Sequence, residues 1–97
     1  MRLSQNYIDV IKSTLAAKIS DAEVFLFGSR VDDTKKGGDI DLFVRTSQNI
    51  TLRDELSILV DLEIKGITRK IDLIVDSPRK NKKAFFNTIK EKAILLW

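Results

Sequence analysis

Four residues at the junction of two apolar runs have the types and spacing that phosphate chemistry requires. The first run ends at Gly28-Ser29, and the second begins with Asp39 and Asp41 after a polar segment. Because successive side chains of a strand point to opposite faces, Asp39 and Asp41 share one face, about 6–7 Å apart. Two carboxylates at this spacing can share one divalent cation, or hold two cations about 3.5–4 Å apart for phosphoryl or nucleotidyl transfer.

The glycine–serine pair and the arginine that follows it suit the phosphate side of such a reaction. Gly28 lets the backbone approach a phosphate closely, while Ser29 offers a hydroxyl and an N–H group. Arg30 can bind phosphate oxygens in bidentate fashion. A Gly-Ser pair by itself is usually an ordinary turn, so this prediction depends on the nearby acids.

A third acid, Asp72, stands near the start of another apolar run. It would complete the ligand shell of one cation and orient or deprotonate an attacking hydroxyl. An isolated aspartate at a strand end is usually just solvated, but acids gathered in one place repel unless a cation neutralises them. We therefore predict that Asp39, Asp41 and Asp72 are catalytic and bind metal, with two Mg²⁺ ions expected.

The composition restricts the available chemistry to carboxylates. The 97-residue chain contains no histidine and no cysteine, which excludes histidine bases, thiolate nucleophiles and disulfides. Oxygen ligands favour a hard cation such as Mg²⁺. Since no apolar run reaches the length of a membrane helix and no signal peptide is evident, we expect one cytoplasmic domain over residues 1–97 with no membrane contact.

The apolar pattern predicts three helices and three strands in the order α-β-β-α-β-α. The expected elements are a helix over 4–19, strands over 22–27 and 39–45, a helix over 51–65, a strand over 70–75 and a helix over about 81–95. Along the second helix run Leu52, Leu56, Leu59, Val60, the less apolar Glu63, and Ile64. The apolar stretch 94–97 fits either core closure or a partner surface.

The site residues impose a topology on these elements. Gly28-Ser29 can lie near Asp41 only if the first two strands are antiparallel, and Asp72 joins them only if the third strand is parallel to the second. A parallel pair needs a crossover connection, which the helix over 51–65 provides. The expected fold is therefore α/β (α+β), a mixed three- to four-stranded sheet with helices on one face.

The stretches 27–30, 39–42 and 70–75 resemble motifs of the nucleotidyltransferases related to DNA polymerase beta. More narrowly, the chain is similar over nearly its whole length to the minimal nucleotidyltransferases, the MNT-type antitoxins. The resemblance implies a polymerase beta palm-like fold in which Gly28 and Ser29 hold the triphosphate. It also implies that Asp39 and Asp41 bind Mg²⁺ and that Asp72 is the third catalytic carboxylate.

The same resemblance implies a reaction and a partner. The reaction would move a nucleoside monophosphate, AMP from ATP, to a hydroxyl and release pyrophosphate. Minimal members are commonly antitoxins paired with a HEPN-domain toxin, a helical RNase, which they silence by adenylylating a tyrosine. Independently, so small a domain has little surface left for an acceptor pocket, so we expect a macromolecular acceptor.

Three other functions stay open from the sequence. The chain could be a catalytically inactive antitoxin or binding module that neutralises its partner by occupancy. The last fifth is basic and could bind nucleic acid, although it lacks the interleaved aromatic residues of a stacking platform, which makes this function less favoured. An antibiotic-modifying nucleotidyltransferase would use the same chemistry, but such enzymes usually carry an additional domain for the drug.

Overall fold

A computed structural model of the chain describes residues 4–28 and 40–97. The elements within these residues are α1 (Gln5–Ala16), β1 (Glu23–Phe27), β2 (Ile40–Arg45), α2 (Leu52–Ile64), β3 (Ile71–Asp76), α3 (Lys83–Ile89) and β4 (Ile94–Leu95). None of these described helices has the length and apolar character needed to cross a membrane.

The four strands form one sheet in the order β3-β2-β1-β4. β1 and β2 are antiparallel, whereas β2 and β3 are parallel and are connected through α2. Hydrogen bonds hold both ends of the parallel pair, from Ile40 N to the Lys70 carbonyl (2.9 Å) and from Thr46 N to the Asp76 carbonyl (3.0 Å). The predicted mixed sheet, with its antiparallel first pair and its parallel crossover, is confirmed.

Side-chain hydrogen bonds mark where the helices begin. The Ser4 hydroxyl accepts from Tyr7 N (3.1 Å) at the start of α1. At the start of α2, the Thr51 hydroxyl accepts from Asp54 N, and the Asp54 carboxylate accepts from Thr51 N, each at 3.1 Å. The Thr51 N–H, and after it the Thr51 hydroxyl, hold the pKa of Asp54 below its ordinary value. The helix start expected at Thr51 is thus confirmed.

One face of the sheet and the two longer helices enclose an aliphatic core. Alternate strand residues point to this face and are buried there. The members of this core from the strands and from the helices include Val24, Leu26, Ile40, Leu42, Val44, Ile71, Val75, Ile11, Leu15, Ile58 and Leu62. Full burial of such a side chain contributes about 1.5–3 kcal/mol relative to leaving it exposed, so this face supplies most of the stability.

The opposite face of the sheet carries aromatic side chains, and α3 packs against them. The ring of Phe43 lies 6.0 Å from that of Phe85 and 5.2 Å from that of Phe86. Phe25 also contacts Phe86 (5.1 Å), and Phe27 contacts Phe85 (5.6 Å). α1 and α2 lie on one face as expected, whereas α3 lies on the other, because rings that alternate with the core residues need an apolar cover of their own.

The carboxyl-terminal segment differs from the helix predicted over 81–95. α3 is shorter, and β4 follows it and pairs antiparallel with β1. Val24 N donates to the Trp97 carbonyl (3.1 Å), and Leu96 N donates to the Val24 carbonyl (2.7 Å). A continued helix would leave this edge of β1 unpaired, and these bonds outweigh the local helical pattern. Leu96 and Trp97 also pack against the core, so they take part in core closure.

The buried side of α2 carries few of the apolar residues that run along this helix. Ile58 and Leu62 are its fully buried residues. Four apolar residues at intervals of four form an exposed ridge instead: Leu52 (62% exposed), Leu56 (54%), Val60 (52%) and Ile64 (77%). Because α2 carries two apolar ridges, the apolar pattern does not decide which ridge is buried. The core takes up the ridge of Ile58 and Leu62.

Candidate active site

The strand register places three residues in one row across the sheet. Phe27, the last residue of β1, pairs with Asp41 on β2, and Asp41 pairs with Asp72 on β3. Gly28 directly follows Phe27, so the corner after β1 lies at the same end of the sheet as both acids. The antiparallel and parallel pairings expected from the sequence therefore bring this corner and these two acids together.

Asp41 and Asp72 are directly opposite each other in the parallel ladder. Neighbouring strands lie about 4.8 Å apart, and both side chains are on the α3 face of the sheet. Both residues are half-buried. Two carboxylates at this separation repel each other unless a cation is shared between them.

Gly28 leaves room for the carboxylate of Asp41. Its φ of +74° lies in the left-handed region, which glycine adopts without steric cost. A Cβ atom at position 28 would overlap the Asp41 Oδ2 atom and would lie 3.1 Å from the Asp41 Cγ atom. The sequence assigns Gly28 to the close approach of a phosphate, and the structure adds a close approach to Asp41.

Lys70 is a neighbour of the site that sequence reasoning missed. Its Nζ atom lies 3.8 Å from the Asp72 Oδ1 atom, and the two side chains are 73% and 45% exposed. A pair this exposed contributes at most about 1 kcal/mol to stability, so it leaves Asp72 accessible to other cations. The signal was the Lys-x-Asp spacing, because residues two apart on a strand share a face.

An aromatic cluster adjoins the acids on the α3 face. Phe43 follows Asp41 on the same face of β2 and is fully buried. Phe85 of α3 stacks on Phe43 with an interplanar angle of 17°. The aromatic cluster also reaches Phe27, which lies opposite Asp41, so the acids border directly on these rings.

The other predicted site residues, Ser29, Arg30 and Asp39, lie outside the described residues. In the part of the chain that the structure describes, no group of three or more acids is placed to hold a metal ion. The two described acids nevertheless fit Mg²⁺ in donor type, because Asp41 and Asp72 offer carboxylate oxygens.

The comparison with known families agrees with this arrangement. Residues 9–97 match the family described as "Polymerase beta, Nucleotidyltransferase", which leaves out only the first eight residues. The chain belongs to this family. The match confirms the resemblance to the polymerase beta-related superfamily, and it identifies nucleotidyl transfer as the general chemistry of this nucleotidyltransferase domain. A search of curated proteins found no significant match.

Proposed function

We propose that this nucleotidyltransferase domain transfers AMP from ATP to a hydroxyl group in a Mg²⁺-dependent reaction. The main support is the pairing of Asp41 with Asp72 beside Gly28, in a chain of the nucleotidyltransferase family. Asp39, two positions before Asp41, would supply the third carboxylate. Bound to these acids, Mg²⁺ would neutralise charge on the phosphates and acidify the hydroxyl.

The chain's own residues divide the remaining work of the transfer. The acceptor oxygen forms a bond to the α-phosphorus of ATP, and the bond from that phosphorus to the bridging oxygen of pyrophosphate breaks. Asp72 accepts the hydroxyl proton, since the chain has no histidine to do so. Gly28-Ser29 and Arg30 hold the phosphate oxygens. The exposed Lys70 can turn from Asp72 toward the negative charge of the leaving pyrophosphate.

The proposed acceptor is a macromolecule, the HEPN-domain toxin of a toxin–antitoxin pair, modified on a tyrosine hydroxyl. This follows from the similarity to MNT-type antitoxins and is supported by the openness of the site. The Asp72 side chain is 45% exposed on the α3 face of the sheet, so a bulky acceptor can reach it from that face. The cytoplasm supplies both ATP and Mg²⁺ for such a reaction.

Transfer of label from α-labelled ATP to a co-expressed HEPN partner tests this function. We expect labelling by the wild type and by the control Asp9→Asn, an exposed acid on α1 away from the site. Asp39→Asn and Asp41→Asn should each abolish labelling, and EDTA should stop the wild-type reaction until Mg²⁺ is restored. Undiminished labelling by both site variants would exclude the metal assignment. Competition by unlabelled nucleoside triphosphates measures the preference for ATP.

The same variants separate catalysis from neutralisation by occupancy. If AMP transfer silences the toxin, cells that express Asp41→Asn remain sensitive to it, and mass spectrometry finds the added AMP only with the wild type. If Asp39→Asn and Asp41→Asn protect cells as well as the wild type, the domain acts as a catalytically inactive binding module. Circular dichroism of each variant shows whether a loss of protection reflects misfolding.

A further inference from the structure

β3 is an edge strand whose outer side is open from Ile71 to Val75. Just beyond the strand, Ser77 and Lys80 exchange backbone hydrogen bonds, and Lys80 Nζ lies 3.7 Å from Glu55 Oε2 of α2. Of the described strands, only β2 pairs with β3. The carbonyls of Lys70 and Asp76 accept bonds from the β2 side, so the N–H and C=O groups of Ile71, Leu73 and Val75 point away from β2. Within the part of the chain that the structure describes, these outward groups have no hydrogen-bond partner. Apolar edges of this kind pair readily with another strand.

The exposed ridge of α2 begins next to this edge. On its far side α2 faces α1, where Lys18 Nζ lies 3.8 Å from Asp61 Oδ2. On the near side, Leu52 and Leu59 line two surface grooves, of about 320 and 560 Å³, whose other walls include β3. The outer edge of β3 and the exposed ridge of α2 therefore adjoin, and together they form what we call the β3–α2 surface.

We propose that the β3–α2 surface binds a second copy of this chain around a two-fold axis at Leu73. The two β3 strands pair antiparallel and join the two four-stranded sheets into one continuous sheet. Because this axis is perpendicular to the sheet, the two α2 helices lie on one face, antiparallel to each other. The two pairs of Asp41 and Asp72 lie together on the opposite face, so the dimer leaves both sites on one side.

Hydrogen bonding selects the register of this ladder. Centred on Leu73, it pairs Ile71 with the partner's Val75 and Leu73 with the partner's Leu73. All outward N–H and C=O groups of β3 then exchange bonds with the partner strand. If the register shifts by two residues in either direction, one of the three residues whose N–H and C=O groups point outward lies opposite a residue that is not part of the partner's β3. Fewer hydrogen bonds then form between the two strands.

The charges on the strand select the same register. It places Lys70 opposite the partner's Asp76, and symmetry repeats this pair at the other end of the ladder. Both are non-hydrogen-bonded positions, where opposite side chains are closest. A shift by two residues places Asp72 opposite the partner's Asp72 in one direction and opposite the partner's Asp76 in the other. Like charges directly opposite each other destabilise a sheet, so both shifted registers are disfavoured.

The ridge of α2 supplies the apolar part of the contact. Leu52 and Leu56 are more than half exposed in the single chain, and Leu52 lines the groove beside β3. Residues at intervals of four form a ridge that packs against the same ridge of a second helix. The dimer therefore covers apolar side chains that the single chain leaves in water.

Sedimentation velocity over a range of concentrations tests the dimer. We expect a shift from monomer to dimer in the wild type. Lys70→Glu raises the dissociation constant about tenfold or more, because two like-charge pairs replace two opposite-charge pairs. Lys12→Glu, the same change on the exposed side of α1, leaves the constant unchanged. A wild type that stays monomeric at its highest soluble concentration overturns the proposal.

Charge exchange and a ridge variant test the register and the helix contact separately. Adding Asp76→Lys to Lys70→Glu restores the opposite-charge pair and should restore the dimer. Asp76 Oδ1 also accepts from Lys82 N (2.7 Å), so this double variant needs a folding check. Leu56→Asp changes a residue that is 54% exposed, so it should fold as a monomer and weaken the dimer at least about tenfold. A Leu56→Asp dimer as tight as the wild type overturns the α2 contact.

Hydrogen exchange examines the ladder without any substitution. In the dimer, the amides of Ile71, Leu73 and Val75 exchange slowly, and dilution below the dissociation constant makes them exchange fast. The amides of Asp72 and Ile74, which face β2, keep their protection at every concentration. Fast exchange at the three outward amides in a sample that sediments as a dimer would place the contact elsewhere and overturn the proposal.

Discussion

The two faces of the sheet are built from the same strands but are covered very differently. On one face, α1 and α2, with 12 and 13 residues, cover aliphatic side chains such as Leu42 and Val44, which are fully buried. On the other, α3 has seven residues, none of them buried, and packs against the rings of Phe25, Phe27 and Phe43. Asp41 and Asp72, in the same row as Phe27, remain half-buried on this face.

This difference separates the residues that stabilise the fold from those that can react. Asp41 lies between Ile40 and Leu42, which are fully buried on the opposite face. The core therefore fixes the position of the acid, while the acid adds no apolar burial of its own. Substitutions on the aliphatic face should change stability, and substitutions of the acids should change activity.

The largest effect is expected for Asp72→Asn. Loss of the carboxylate that we propose binds metal and accepts the proton should lower the rate of the proposed AMP transfer about 10³–10⁴-fold. The free energy of unfolding should change by less than about 1 kcal/mol, because the ion pair with Lys70 is exposed. Label-transfer rates and urea unfolding measure the two quantities. A large loss of stability with normal transfer would contradict the separation of the faces.

Leu42→Ala examines the other face. Leu42 is fully buried in the aliphatic core, so its truncation should lower the free energy of unfolding by about 2–5 kcal/mol. The matched control is Leu95→Ala, because Leu95 is 53% exposed and should lose far less. Urea unfolding of the two variants measures the difference. Equal losses would mean that the α1–α2 face is not the main source of stability.

Two glycines with positive φ among the described residues give a finer test. Gly28 (φ +74°) and Gly66 (φ +107°) should each lose about 1–2 kcal/mol of stability on replacement by alanine, because a Cβ atom strains this conformation. Only the Cβ at position 28 meets a site residue, Asp41, whereas position 66 is open within 4 Å. Gly28→Ala should therefore also lose transfer activity, and Gly66→Ala should keep it. Equal activities would remove Gly28 from the site.

The smallest effect concerns Asp21, a carboxylate that stabilises the fold at the end of the sheet away from the site. It accepts from the hydroxyls of Ser47 and Thr46 and from Ser47 N (3.0 Å). The Ser47 hydroxyl, then the Thr46 hydroxyl and the Ser47 N–H, lower the pKa of Asp21 from 3.8 to about 2. This carboxylate is easier to ionise in the folded chain, so its contribution is present above about pH 4 and is lost toward about pH 2.

Asp21→Asn should therefore unfold more easily than the wild type near about pH 6, and the two should converge near about pH 2. Urea midpoints measured across this range give the comparison. A difference that stays constant down to the lowest pH would assign the effect to packing rather than to ionisation. Asp9→Asn, at another exposed acid, controls for the change in net charge.

The predictions from sequence that succeeded depend on alternation and connectivity. The pairing of Asp72 with Asp41 follows because a parallel strand after a crossover starts at the same end of the sheet as its neighbour. β4 and the buried side of α2 could not be predicted in this way. A strand of two residues has no measurable period, and its formation depends on an open edge of β1 elsewhere in the chain.

In the candidate site, too, some features could be predicted from the sequence and others could not. The spacing of the acids predicted that Asp41 and Asp72 would lie close together. It did not predict the close approach of Gly28 to Asp41 or the ion pair of Lys70 with Asp72, because both depend on the positions of side-chain atoms. Such positions depend on rotamers and on the twist of neighbouring strands, which a residue pattern does not contain.

The docking of Trp97 has an experimental consequence. It is the only tryptophan in the chain, its carbonyl bonds to Val24 of β1, and it packs against the core. Release of the segment that carries β4 would move the indole into water and shift its fluorescence emission to the red. β4 and β3 are at opposite edges of the sheet. The tryptophan emission therefore reports the detachment of β4 from β1 without an added label, and it does not report structural changes at β3, which carries Asp72.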